Sequence, residues 1–478
     1  MARREAVAEG RAGPRSRAGR EVSATGQVPH LTVDERLAIG RQWRDRVPRQ
    51  AHATYDERSD RTDPVSILEG QASDRLPDLV PIRYGRMATG PFAFLRGSAA
   101  VMAADLAPLP RTGLEVQLCG DAHVANFGVY ATPERSFVLD INDFDETRRG
   151  PFEWDVKRFT ASAVVMARQR GIKPSVYRPL VLDSLAMYRT AIREFSTRRW
   201  LQIWYDRITL DELRTVAREH PVVDRALDTI EVRARTRDSL LAFSKLTEEV
   251  DGERRIKNAP PLVERVFGSP EETEMVRQVF RGYRRTLQGD RRRLLERFGM
   301  IDIARKVVGV GSVGTRCFVL YLEGRDRGDP LFLQIKQAYP SVLDPYLGAS
   351  VYENQGQRVV EGQRMMQAAS DIFLGWIKGP LGRHFYVRQL YDGKWSADLD
   401  GGDVRGLGPY LRVCGRAMAR AHARSGDPVA MAAYLGNGTT FDKAILAFAE
   451  AYHEQTVQDH AALETAIESG RLAAISGV

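Results

Sequence analysis

The chain has 478 residues, 43% hydrophobic and 28% charged, a globular composition with material for two or three lobes of ordinary size. No apolar run approaches the ~20 residues of a membrane helix, and the first 20 residues lack the apolar middle of a signal peptide. The formal charge of +8 comes mainly from arginines that alternate with acids, as in Arg291, Arg292, Arg293, Glu296 and Arg297, a solvated helix face rather than a nucleic-acid surface.

In chain order, residues 1–30 are Arg-, Gly- and Ala-rich and are expected to form a disordered basic arm. Residues 31–300 read as a helical lobe, with an amphipathic run over 91–106. Inside it, residues 115–145 alternate like strands (Val116, Leu118, then Phe137, Leu139), and Pro133 marks a hairpin turn. From Trp154 to Phe298 the periodicity is helical, with Pro174 and Pro179 breaking helices and Pro260-Pro261 making a turn. Residues 301–395 read as a β-rich lobe: Val307-Val308, a glycine turn, a strand at 317–321, a loop and a strand at 331–336. A helix over about 350–369 and a strand pair at 373–377 and 385–390 follow, and residues 396–478 are helices that close on the helical lobe. Cys119, Cys317 and Cys414 are too scattered for a disulfide framework or a thiolate zinc cluster, which favours a reducing cytoplasm.

The densest chemistry lies in Leu-Cys-Gly-Asp-Ala-His-Val-Ala-Asn-Phe-Gly (118–128) and Leu-Asp-Ile-Asn-Asp-Phe-Asp (139–145). Asp121 and Asn126 share a loop, and the hairpin returns Asp143 beside it. In that layout Asp121 can accept a proton while Asn126 and Asp143 hold a hard cation through oxygen. Phosphoryl transfer asks for this, since the protein's part there is positioning and charge neutralisation. The plainer reading makes the same residues ordinary turn formers. His123 reads as a hydrogen-bonded support and Cys119 as packing, with no partner that would activate its thiol.

A second group begins at Gly309-Val310-Gly311-Ser312-Val313-Gly314, a G-x-G-x-x-G run. Strand-like residues flank it on both sides, so a phosphate-covering hairpin fits better than a dinucleotide fingerprint, which would open a helix. Lys336 ends the next apolar strand, where an ammonium needs an anion such as ATP phosphate. Glu361, with Glu353 as the alternative, would hold it from the following helix. An ordinary turn, a snorkelling lysine and a solvated glutamate are the bland equivalents. Arg83, Arg86 and Arg96 suit either a phosphorylated acceptor or ion pairs with helix carboxylates, and His422 reads as a satisfied, partly buried histidine.

On residues 81–87 (Pro-Ile-Arg-Tyr-Gly-Arg-Met), 118–128, 142–147, 150–158 and 307–315, the chain resembles the bacterial domain-of-unknown-function family 2252, from about Val47 to near the C-terminus. That family carries no activity. The loop motifs are also similar to the protein-kinase-like superfamily, with the G-D-x-H-x-x-N of aminoglycoside- and choline-kinase-like enzymes at Gly120 to Asn126. Three departures stand out: Asp143-Phe144-Asp145 replaces D-F-G, Cys119 replaces the histidine of H-G-D, and the catalytic loops precede the glycine loop. The resemblance implies an α+β, two-lobed, kinase-like fold in circularly permuted order, binding ATP and Mg²⁺. It implies Asp121 as base, Gly309, Gly311, Ser312, Gly314, Lys336 and Glu361 on the nucleotide, and Asn126, Asp143 and Asp145 on metal. It further implies that Asp155 accepts N–H bonds from the catalytic loop and that the His422 helix leads towards that loop. The expected activity is phosphotransfer to an unidentified small-molecule or protein hydroxyl, with AMP transfer as a variant. The rivals are a metal-dependent phosphoesterase, suggested by Gly120-Asp121-Ala122-His123, and a non-catalytic ATP-binding module.

Overall fold

The computed structural model describes residues 30–55, 60–217, 227–232, 239–265, 270–307, 309–390 and 395–477. Residues 1–29 of the basic arm lie outside the described residues. The protein is a mixed α+β structure with several sheets. The amphipathic run at 91–106 is two short helices, Pro91–Gly97 and Ala99–Leu106, split at Ser98.

Strand β1 (Glu115–Leu118) leads into the Asp121 loop, and β2 (Phe127–Ala131) and β3 (Phe137–Ile141) form the expected hairpin, with Phe127 opposite Ile141. Past the Asp143 loop, β4 (Arg148–Pro151) returns to pair with β1, so the two loops leave adjacent strands. The helix Glu153–Gln169 follows at once and is buried along nearly its whole length, inside the largest apolar cluster. Helices Pro174–Ser196 and Thr440–Glu468 pack on it, and Val404–Ser425 packs on Pro174–Ser196.

Two expectations for residues 154–298 are corrected. Pro179 does not break a helix: it sits inside Pro174–Ser196 on an exposed face, where the carbonyl it strips of a partner is solvated. The stretch is also not all helix, because β5 (Thr247–Val250) and β6 (Glu253–Ile256) form a hairpin and β7 (Val263–Arg265) adds a sheet edge. Helical spacing alone misses such short, half-exposed strands.

A six-stranded antiparallel sheet follows, built from β7, β8 (Gly299–Lys306), β9 (Cys317–Glu323), β10 (Pro330–Ala338), β11 (Gly375–Lys378) and β12 (His384–Gln389) in the order β11-β12-β10-β9-β8-β7. The helix Gln355–Met366, capped by Asn354, connects β10 to β11. Strand alternation gives the sheet two faces. Leu331, Leu333, Ile335, Phe318, Leu320, Phe385 and Val387 pack against Val276, Val279 and Tyr283 of the helix Pro270–Tyr283. On the opposite face, Phe332, Tyr321 and Val319 pack against Ala242 and Ile256, and the same face then turns polar at Gln334, Lys336, Tyr386 and Arg388.

That polar end looks onto the Asp121 and Asp143 loops. The connection is closed by β13 (Trp395–Ser396), which joins the edge of β2 opposite Val129 and Gly128. Gly128 is required there, since a Cβ would stand 2.3 Å from the Trp395 carbonyl oxygen.

Candidate active site

The Asp121 loop is held by partners that leave little freedom. Asp155, in the first turn of Glu153–Gln169, accepts the N–H groups of Cys119 (2.7 Å) and Gly120 (3.0 Å). Its carboxylate also lies 3.2 Å from His422 Nε2, whose Nδ1 meets the Tyr188 hydroxyl at 2.8 Å. Gly120 adopts φ +84, and a Cβ there would strike the Glu146 carbonyl oxygen at 2.2 Å. Ser162 accepts the Val124 N–H at 2.8 Å.

Asn126 ties this loop to the next. Its Nδ2 donates to the carbonyls of Asp121 (3.0 Å) and Asp143 (3.1 Å), which leaves Oδ1 as its remaining ligand atom. Cys119 Sγ lies 3.2 Å from the Asp143 carbonyl and 3.3 Å from Asn126 Nδ2. Burial and the nearby carboxylates of Asp155 and Asp121 push this thiol well up, so it stays protonated and acts as a donor.

Asp121 points into the site with its Oδ1 taken by Arg158, at 2.9 Å from Nε and 2.7 Å from the terminal nitrogen. Its Oδ2 is 3.7 Å from His123 Nε2. Burial lowers His123 to about 4 against the pull of Asp121, so the imidazole is neutral at pH 7.

The sheet supplies the other wall. Lys336 Nζ lies 2.6 Å from Asp145 Oδ2 and 4.0 Å from Asp143 Oδ1. Tyr386, directly opposite Lys336 across β10 and β12, donates its hydroxyl to Asp145 Oδ1 at 2.6 Å. Arg388, on the same face, donates to the Asn142 carbonyl at 3.2 Å. Burial would neutralise Lys336, but the Asp143 and Asp145 charges outweigh it and hold the ammonium protonated. The two carboxylates share it unequally. Burial acts to raise Asp145, and Lys336 more than reverses this, keeping it below the ordinary range. Asp143 is pushed up by burial and by the Asp145 charge, and 45% of its side-chain surface is still open. A carboxylate left this open beside a second one is a ready cation ligand.

The glycine turn joins β8 to β9 and arches over this pair, with Ser312 Oγ 3.3 Å from Asp145 Oδ2. Gly309 and Gly314 take φ of 65 and 86. Arg75 donates to the carbonyls of Gly311 and Val313, Arg86 donates to that of Gly309, and the Leu76 N–H donates to that of Gly314 at 2.8 Å.

Residues 75–466 match the family model described as an uncharacterized protein conserved in bacteria, DUF2252. The chain belongs to this family. No curated protein and no solved structure matches it. The family match spans every residue of the site, from Arg75 to His422.

Within this DUF2252 chain, the structure brings Asp121, Asn126, Asp143, Asp145, Ser312 and Lys336 together and leaves Glu361 out. Glu361 is paired with Arg364 at 3.2 Å, its side chain 36% exposed, and Glu353 is exposed as well. The reason is the roll of the Gln355–Met366 helix. The face turned to the loops carries Arg358, which donates to the carbonyls of Asp145 (2.8 Å) and Thr147 (2.6 Å), and Gly362, set against Thr147. Asp145, expected on metal, is the partner of Lys336, and both its carboxylate oxygens accept hydrogen bonds. Arg83 donates to the Gly97 carbonyl and to Gln71 Oε1, and Arg86 donates to the Gly309 carbonyl.

Arg158, Tyr386 and Arg388 were not anticipated. Asp155 and Arg158 sit one helical turn apart, a spacing that places both on the face below the loop. Tyr386 and Arg388 alternate with buried Phe385 and Val387, so a polar stripe in an apolar strand was their signal. Among the described residues no three His, Cys, Asp or Glu side chains converge as a metal cage, and no helix is long and apolar enough to cross a membrane.

Proposed function

We propose that the protein is a Mg²⁺- and ATP-dependent phosphotransferase with a circularly permuted kinase-like arrangement. The observation that carries this reading is Lys336, a buried ammonium held over Asp143 and Asp145 beneath Ser312 of the glycine turn. Lys336 and the turn would receive the nucleotide phosphates, Asn126 Oδ1 and Asp143 would hold Mg²⁺, and Asp145 positions Lys336. Mg²⁺ supplies charge neutralisation at the phosphates, and it is commonly bound by one or two carboxylates plus the phosphates themselves, so a complete protein cage is not required. Asp121, oriented by Arg158, would take the proton of the acceptor hydroxyl. The acceptor oxygen then bonds to the transferred phosphorus as the bond to the leaving oxygen breaks.

The permuted order has its own support. Ser425, the last residue of Val404–Ser425, accepts the Gln117 N–H at 3.0 Å. A chain leaving that helix could therefore enter β1 and the Asp121 loop directly, as an unpermuted order would have it. The phosphoesterase reading is weaker, since its metals would want more nitrogen ligands than neutral His123 alone. A non-catalytic nucleotide binder keeps one point in its favour, the double hydrogen bond that ties up Asp121 Oδ1.

Melting the protein with ATP, with Mg²⁺ and with both tests the reading. A joint upward shift that is lost in Lys336→Ala is expected, and its absence in the wild type sinks the nucleotide site. Asp121→Asn should abolish transfer with nucleotide affinity unchanged. Nucleotide binding with no turnover under any acceptor would leave the non-catalytic reading standing.

A further inference from the structure

Arg75, Arg83, Arg86 and Arg96 come from the segment that meets the glycine turn, and three of them have backbone partners. Arg75, Arg83 and Arg86 donate to backbone carbonyls of the glycine turn or of Gly97. Arg96 differs. Among the described residues its guanidinium makes no hydrogen bond or ion pair, its Nε is buried without a partner, and its one contact of note is the Phe92 ring at 5.8 Å.

The backbone fixes where Arg96 stands. The carbonyl of Leu95 accepts from Arg158 at 2.5 Å, the same guanidinium that holds Asp121. The Arg96 carbonyl lies 3.4 Å from where a Cβ on Gly311 would be. Arg96 is thus wedged between the Asp121 loop and the glycine turn. The charged and titratable groups that act on it are Asp121 and Asp400, with neutral His123 also in range. Lys336 belongs to the other end, among Asp143, Asp145, Tyr386 and Arg388.

The charge of Asp121 is already matched by Arg158, so Arg96 is a surplus cation beside the base. Arg96 is half-buried, with only its Nε enclosed and no hydrogen-bond partner for its guanidinium, so an oxyanion supplied by a ligand can take it through charge-assisted hydrogen bonds. Resting on the phosphotransferase reading, we propose that the acceptor is itself anionic: a hydroxyl compound bearing a phosphate or carboxylate group, which Arg96 receives next to Asp121. Planar guanidinium geometry suits either oxyanion.

Calorimetric titration of the full chain with inorganic phosphate and with acetate, alone and saturated with Mg²⁺ and AMP-PNP, tests this and separates the two oxyanions. At least one should bind with nucleotide present, about tenfold or more weakly in Arg96→Gln, the loss expected for one charge-assisted contact. Arg96→Lys, which keeps the charge and carries the test if the glutamine variant misfolds, should lose less. Equal binding in wild type and Arg96→Gln, no binding of either oxyanion, or displacement of the oxyanion by nucleotide would overturn the assignment. Failure of the nucleotide reading registers separately, as no heat with Mg²⁺ and AMP-PNP while the oxyanion arms still report on Arg96.

Discussion

The two halves of the site are held in opposite ways. The Asp121 loop is fastened from within its own neighbourhood: Asp155 and Ser162 come from the next helix, and Asn126 from the loop itself. The glycine turn has internal hydrogen bonds at Val313 and Thr315 but is placed from outside, by Arg75 and Arg86 from a segment more than 200 residues earlier. A fixed floor under an arch pinned by half-buried arginines suits a ligand that must slip beneath the arch and be covered.

Asp155→Ala should separate the halves most strongly. It strips two buried N–H groups of a charged acceptor and should cost about 3–5 kcal/mol in denaturant unfolding; a loss under 1 kcal/mol would mean the loop is not fastened there. Asp145→Asn leaves Lys336 with only the Asp143 charge, at 4.0 Å, and should cost about 3 kcal/mol. Arg75→Met should cost less, about 1–2 kcal/mol, and speed hydrogen exchange in the glycine turn while sparing Gly120 and Val124. Equal acceleration in both loops would erase the distinction.

Glu146 offers a check in pH. Burial raises its carboxyl from 4.5 to about 7, against the N–H of Val342. The unfolded chain therefore loses this proton at lower pH than the folded one, and the Glu146 contribution to stability falls between about pH 4.5 and 7. Wild type minus Glu146→Gln should show that decline, and a flat difference refutes it. The smallest effect belongs to Glu361→Gln, within about 0.5 kcal/mol, since its pairing with Arg364 is at the surface. Chemical denaturation of this variant tests directly whether Glu361 has any part in holding Lys336.

What the sequence made legible follows the same divide. The Asp121, Asn126 and Asp143 spacing and the Pro133 hairpin are local, and local spacing fixes them once the strands pair. The glycine turn between two strands and Lys336 on the third strand are local too. The partner of Lys336 is not local. Helical periodicity places Glu361 on the Gln355–Met366 helix but leaves its roll open, and the roll follows from Arg358 reaching carbonyls of the Asp143 loop. The strands β5 to β7 leave little local signal for a related reason, since their pairing, β5 with β6 and β7 with β8, supplies the order that their short runs lack.

The Lys336–Asp145 pair spans 191 residues of chain. At usual rates of synthesis, roughly ten to forty seconds separate the emergence of the two side chains from the ribosome. Through that interval the acidic loop is complete but has no lysine to face, and the closure of so long a loop weighs on the folding rate. A nascent chain that stalls before β10 therefore exposes two carboxylates without their counter-charge, and chaperones and proteases would meet the protein in that state first.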